Sequence, residues 1–366
     1  MNGKELNIRA PCNRLGYGKI AQNLILPLQQ LGIKINYFPI GQIEVDSNRE
    51  DIKESIKIAL KGQDDYNPQS SSLLIWHQHS LAERIGKGLH IGWPIFELDT
   101  FTPRELHHLR NCDKLFTCTS WAKNIIKKNK INIPTFVIPL GVDTTIFYPS
   151  EKDELSKNYP SEKTIFLNIS KWEVRKGHDV LSQIFRKAFS EKDNVELWMI
   201  CENPFYSYEE NLNWQVKYYD VLGSQVRFIS TINTQEELSF IINQVDCGIF
   251  PSRGEGFGLP ILEIMACGKQ IITTSYSGMT EFCNDQNAHL ISIDSLESAF
   301  DGKWFFNQGN WAAIGKRQMD QCVEYLRKIH LTKQEKGAIM NIQGIETTKK
   351  FNWANSAWYI KNCIFK

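Results

Sequence analysis

The stretch Asp246-Cys-Gly-Ile-Phe-Pro-Ser-Arg-Gly-Glu-Gly-Phe-Gly-Leu-Pro-Ile-Leu-Glu-Ile-Met-Ala266 decides the fold. Its apolar run Asp246–Phe250 reads as a buried strand, and Leu259–Ala266 reads as a helix. Between them lie Gly254, Gly256 and Gly258, residues that let a backbone turn sharply and come close to a ligand. Strand, glycine-rich turn, helix is the unit of a parallel α/β sheet, whose ligands sit beyond the carboxyl ends of its strands. Backbone N–H groups of Phe257, Gly258 and Leu259 then face phosphate or hydroxyl oxygens. Glu255 in the turn and Glu263 in the helix are carboxylate acceptors suited to paired hydroxyls.

Outward from this stretch, the same alternation repeats. Thr164–Ile169, Val195–Cys201, Val226–Ser230 and Gln270–Thr274 read as strands. Gly177–Ser190, Tyr208–Leu222 and Thr234–Gln244 read as helices between them. An earlier series has strands Leu6–Ala10, Ile33–Phe38, Leu73–Trp76, Lys114–Cys118 and Thr135–Pro139. Its helices are Gly16–Leu31, Pro103–Arg110 and Ser120–Lys128, the last read as capped by Ser120. Tyr148–Ser161 breaks the rhythm with charge and prolines and reads as a linker. The final stretch Trp311–Lys366 reads as helical, with breaks at Gly344 and near Asn352. The expected domains are residues 1–150, residues 151–348 and a terminal helix 349–366.

With 366 residues, the chain has room for two such domains. Its 42 basic and 41 acidic residues leave a formal charge of +1, which argues against a dedicated nucleic-acid binder. Mean hydropathy is -0.34, and no apolar run approaches the length of a membrane span. The nine cysteines are scattered, with no C-x-x-C pair, so a reducing cytoplasm is expected rather than a disulfide framework. Met1–Pro11 is charged and is not read as a secretory signal.

Three further segments carry chemistry. Ile169-Ser-Lys-Trp-Glu-Val-Arg-Lys-Gly-His178 follows a strand and opens a helix, so Lys171, Arg175 and Lys176 stand where a diphosphate would bind. Asn13-Arg-Leu-Gly-Tyr-Gly18 places Gly16, Tyr17 and Gly18 after the first strand, without the spacing of a dinucleotide fingerprint. Trp76-His-Gln-His79 sets His77 and His79 on one side of an extended chain at a strand end. No third ligand accompanies them, so no metal site is expected. The aromatic residues Trp93 and Trp304–Phe306 are suited to stacking on sugar rings, but large aromatics are expected in the core. The basic stretch Ser120–Lys130 reads as a surface helix, with weak peripheral docking at a cytoplasmic membrane face as the other reading.

Taken together, these residues resemble glycosyltransferase family four, enzymes of the GT-B fold. The resemblance rests on Glu255-x7-Glu263 within Glu-Gly-Phe-Gly-Leu-Pro, and on Lys176-Gly177 with a basic residue five positions earlier. Val137–Asp143 with Phe147–Pro149, Val226–Leu238, Tyr276–Glu281 and Phe351–Trp353 add to it. It implies two Rossmann-like α/β domains facing across a cleft, with a terminal helix crossing back. It implies retaining transfer of a sugar from a UDP- or GDP-linked donor to a glycan, lipid-linked or small-molecule hydroxyl, with no cofactor beyond the nucleotide sugar.

The roles it assigns are specific. Glu255 contacts the donor sugar and Glu263 the ribose. Gly256, Phe257, Gly258 and Leu259 offer backbone to sugar and phosphate, and Lys171 and Lys176 hold the diphosphate, with Arg175 in support. Ser230 and Ile232 lie in the nucleotide-base region. His79 or His77 faces the donor sugar, with Gly16–Gly18 nearby. Ser170-Lys171 departs from the family's usual Gly-Arg, which loses a bidentate phosphate fork. The sequence contains no Asp-x-Asp, so cations and helix N-termini are expected to do a metal's work. The alternatives are a nucleotide-sugar epimerase of the same fold, or an inactive nucleotide-sugar binding protein.

Overall fold

The computed structural model describes residues 4–46, 48–150, 162–230 and 232–365. Most of the linker expected at Tyr148–Ser161 therefore lies outside the described residues. The chain divides into two compact units, Met1–Val142 with Lys350–Lys366, and Asp143–Lys349.

Unit 1 is built on a parallel sheet of six strands, β1 (Glu5–Cys12), β2 (Lys34–Ile43), β3 (Ser71–Leu74), β4 (His90–Gly92), β5 (Lys114–Thr117) and β6 (Thr135–Val137). Their spatial order is β2-β1-β3-β4-β5-β6. The order reverses at β1, which pairs with β2 on one side and β3 on the other. Helix Gly16–Gln30 buries Ile20, Leu24, Ile25 and Leu28 beside β1. The terminal helix Trp353–Ile364 packs against that helix. It is fixed there by Lys361 Nζ donating to Leu31 O at 3.0 Å and Lys114 Nζ donating to Cys363 O at 2.9 Å.

Unit 2 repeats the plan with β7 (Thr164–Ser170), β8 (Val195–Cys201), β9 (Val226–Phe228), β10 (Cys247–Phe250), β11 (Gln270–Thr274) and β12 (His289–Ile291). The parallel order is β12-β11-β10-β7-β8-β9, so the reversal falls between β10 and β7. Its core joins Phe166 and Leu197 of the sheet to Leu181, Ile184 and Phe185 of helix His178–Ala188. A separate antiparallel hairpin, β13 (Leu296–Phe300) with β14 (Phe306–Ala312), follows the sheet.

The sequence reading needs several corrections. Helix Glu50–Lys61, strand β4 and the β13–β14 hairpin are additional elements. Trp311 lies in β14 rather than in a helix. Gly344 lies inside helix Ile342–Thr348, and the preceding helix ends at Gly337, which has φ 77°. Helix Ser120–Lys128 is capped by Thr119, whose hydroxyl accepts from Ala122 N at 3.0 Å. Gly16–Gly18 form the first turn of their helix. Helix Ser120–Lys128 turns Ala122, Ile125 and Ile126 into the core and leaves Lys123, Lys127 and Lys128 exposed. Among the described residues, no helix is long and apolar enough to cross a membrane.

The displaced cap is testable. Thr119→Ala removes the acceptor and should cost about 1 kcal/mol, whereas Ser120→Ala should change stability by only a few tenths. Urea unfolding of both variants checks this, and equal losses would contradict the cap.

Candidate functional site

In an open α/β sheet, a crevice forms where strand order reverses, because the two flanking connections leave in opposite directions. In unit 2 that crevice lies beyond β7 and β10, and both loops end in a glycine that caps a helix. Gly177 precedes helix His178–Ala188 with φ 79°, and Gly258 precedes helix Leu259–Ala266 with φ 99°. Neither cap supplies a side-chain acceptor. The positive ends of two helix dipoles therefore border one crevice, an arrangement that favours anions.

Glycine at position 177 is a steric requirement. A Cβ there would sit 2.1 Å from Pro251 O, so the two loops touch backbone to backbone. Arg253 N donates to Arg175 O at 2.7 Å across the same seam. A third loop, after β11, closes the other side. There Ser277 Oγ accepts from Glu255 N at 2.8 Å, and Gly278 N donates to Glu255 O at 2.9 Å. Ser277 has φ 59°, a left-handed conformation unusual for a residue with a side chain.

Glu255 is the centre of the charge arrangement. Lys176 Nζ donates to both of its oxygens at 2.7 Å, and Ser252 Oγ donates to Oε1 at 2.8 Å. Burial raises the carboxyl's proton affinity. The charges of Lys176 and Arg175 and the hydrogen bonds from Lys176 and Ser252 outweigh it and hold the group below its ordinary value of 4.5. Glu255 is thus a carboxylate at neutral pH.

Arg175 is buried and points into the protein. It donates to Gly254 O at 2.6 Å, Glu173 Oε2 at 2.7 Å and Glu255 Oε2 at 3.3 Å. The basic run expected to present bare cations is therefore compensated by Glu173 and Glu255, because a buried cation requires a partner. Lys171 extends from the same loop, its Nζ 5.0 Å over the ring of Phe205.

Other expected residues fall as follows. Gly256, Phe257 and Leu259 are buried within the glycine-rich loop and its helix, with the Phe257 ring 5.1 Å from Phe282. Glu263 is buried on that helix, one turn beyond Leu259. Ser230 and Ile232 follow β9, separated from β7 by β8, and take no part in the Lys176–Glu255 hydrogen bonds. In unit 1, the helix start Gly16–Gly18 and the segment Trp76–His79 likewise follow the two strands flanking a reversal, β1 and β3. The His77 and His79 rings stack 5.3 Å apart, and Tyr17 lies 4.8 Å from His77. Gly18 is required, since a Cβ would lie 2.3 Å from Asn13 N, whereas Gly16 has open space.

Sequence reasoning left several site residues without roles. Arg253 grips both carboxylate oxygens of Asp179 at 2.8 Å, Glu297 at 2.9 Å and Val174 O at 2.7 Å, clipping both loops to the hairpin. His178 bonds the Tyr219 hydroxyl and Lys171 O at 2.7 and 3.0 Å. Burial lowers its pKa to about 3, so its ring is neutral. A polar side chain beside a glycine-rich turn is their only signal in sequence, and it does not name a partner. Among the described residues, no cluster of histidine, cysteine and carboxylate residues could hold a metal ion.

Comparison with known proteins places this geometry. Residues 163–301 match the family described as Glycosyl transferases group 1. A probable sucrose-phosphate synthase of Thermosipho melanesiensis is 33% identical over 165 residues, covering 43% of this chain and 36% of the relative. The chain spans 28% and 42% of the length of two other curated relatives, a mannosyltransferase of Escherichia coli and an N-acetylgalactosaminyltransferase of Campylobacter jejuni. The structure of sucrose-phosphate synthase from Thermosynechococcus elongatus superposes with a TM-score of 0.72 at 15% identity, covering 98% of each chain. That of HepE from Anabaena, in complex with UDP and glucose, gives 0.67 at 13% identity over 98% of this chain and 99% of that one. The fold is GT-B, with two Rossmann-like units.

Two outcomes are expected. Gly177→Ala should destabilise the protein by more than about 2 kcal/mol, measured by urea unfolding, since it meets both a left-handed φ and the Pro251 carbonyl. The depressed Glu255 pKa gives stability that is present above pH 4.5 and lost as pH falls through the folded value. Glu255→Gln should therefore flatten the acid limb of the stability profile. An unchanged acid limb would remove the ion pair from the account.

Proposed function

We propose that the protein is a retaining glycosyltransferase. It moves a sugar from a UDP- or GDP-linked donor to a hydroxyl of a glycan, lipid-linked or small-molecule acceptor. The observation that carries this reading is Lys176 seated on Glu255, between two glycine-capped helix N-termini at the strand-order reversal of unit 2. The family of residues 163–301 and the UDP and glucose bound by a protein of like fold support it.

In this reading, the donor's diphosphate lies against the helix N-termini, within reach of Lys171 and Lys176. Glu255 accepts hydrogen bonds from donor-sugar hydroxyls, and Glu263 from the ribose. As the bond from the anomeric carbon to phosphate lengthens, positive charge develops on the sugar ring and negative charge on the leaving oxygen. Lys176 and the N–H groups at the helix starts stabilise that oxygen, so cations and dipoles stand where other transferases place a metal. The acceptor hydroxyl attacks from the face the diphosphate leaves, and a departing phosphate oxygen takes its proton. Arg175 and Arg253 act as positioning residues, holding the loops rather than the ligand.

Incubation with a panel of UDP- and GDP-sugars, with and without acceptors, should release nucleoside diphosphate in step with sugar transfer. Absence of both binding and release across the panel would overturn the reading. Glu255→Gln should lower turnover about a hundredfold while the circular dichroism spectrum is retained. Lys176→Ala should weaken UDP or GDP binding by about tenfold or more, and equal affinity by calorimetry would sink that lysine's role.

A further inference from the structure

The β13–β14 hairpin ends in a turn whose aromatic residues stand in water. Sequence reasoning expected Trp304–Phe306 in the core, yet Trp304 is 41% and Phe306 59% exposed. The turn is built for that presentation. Asp301 Oδ1 accepts from the backbone N–H groups of Lys303, Trp304 and Phe305 at 2.9, 2.7 and 2.9 Å. Asp301 N donates to Phe305 O at 3.0 Å, closing the loop. One carboxylate holding three amides fixes a turn that would otherwise sample many conformations.

The presented rings continue onto the loop after β8. Trp304 lies nearly parallel to Tyr206, at 14° and 6.3 Å, and its indole N–H donates to the Tyr206 hydroxyl at 3.3 Å. Phe205, 59% exposed, meets Trp304 at 6.0 Å on its other ring contact. Phe205 also lies under Lys171 Nζ, in the loop after β7. The aromatic surface thus adjoins the loop that carries Lys171 and Lys176, at the ligand-binding end of the same sheet. Several large rings left together in water are a marker of a binding surface.

We propose that Phe205 and Trp304, with Tyr206 stacked behind Trp304, form a saccharide-binding surface that holds the sugar chain of the acceptor beside the donor site. Flat, exposed rings match the C–H faces of pyranoses, and polar groups at the edge match their hydroxyls. The charge on the surface selects among occupants. Lys303 is paired with Glu210 and covers Tyr206 at 4.0 Å, while Glu209 lies beside Glu210. With Lys171 over Phe205, Lys171 and Lys303 offset Glu209 and Glu210, and a surface with no excess of positive charge suits a neutral polyhydroxyl chain better than a nucleic-acid backbone or an anionic bilayer. The proposal rests on the glycosyl-transfer reading and names the acceptor class.

The test uses the full chain on an immobilised panel of oligosaccharides of two or more sugars, with calorimetry of UDP and GDP alongside. The wild-type protein should be retained on a subset of the panel. Trp304→Ala and Phe205→Ala should weaken that retention about tenfold, and Trp304→Phe, which keeps a ring, should restore most of it. UDP or GDP affinity should be unchanged in both Trp304 variants. Retention of neither wild type nor variants on any glycan, or equal retention of Trp304→Ala, Phe205→Ala and wild type, would overturn the surface. Ring-dependent glycan retention with no binding of UDP or GDP by the wild type would support the surface while removing the donor reading.

Discussion

A buried carboxylate needs a compensating charge, and much of the second unit's loop structure follows from meeting that need at Glu255. Lys176 neutralises it from one loop, Arg175 shares it through Nη1 while Nη2 pairs with Glu173, Ser252 donates to it, and Ser277 accepts from the backbone N–H of the same residue. Breaking such a pair from one side costs about 3–5 kcal/mol, far more than the pair contributes over an apolar replacement. The arrangement therefore favours a fixed geometry over raw stability. The loops after β7, β10 and β11 are bound to one another through a group whose charge is held by its neighbours.

Much of this was legible in the residues, and the reasons are physical. Strands covered on both faces read as short continuous apolar runs and the helices over them keep a period of 3.6, so Val195–Cys201 and helix Pro103–Arg110 match the expected bounds. Glycine marks close approach well, as at Gly177 and Gly258. The hairpin escaped because Leu296–Ala312 mixes exposed aromatics with polar residues and lacks a clean buried face. The electrostatics escaped for a different reason. The run Lys171, Arg175, Lys176 reads as positive in one dimension, but Glu255 lies 79 residues from Lys176 and compensates it only after folding. Arg253 was hidden likewise, since Asp179 and Glu297 are 74 and 44 residues away.

The two units solve one problem with different materials. Each opens a crevice where its strand order reverses. Unit 2 fills the rim with paired charges and glycine-capped helices, whereas unit 1 places Tyr17 against the stacked His77 and His79. The first rim suits a phosphate-bearing ligand, and the second is lined by aromatic and imidazole rings.

The terminal helix has a consequence for recombination. Its Lys361 ammonium and Cys363 carbonyl are bonded to unit 1, so that unit is written in two separated segments, whereas unit 2 occupies one unbroken span, Asp143–Lys349. A chimaera that exchanges unit 2 is therefore an internal cassette replacement with two junctions, near Val142 and Lys349. A chimaera joined at a single junction near Val142 would leave the donor sequence's terminal helix facing a foreign partner.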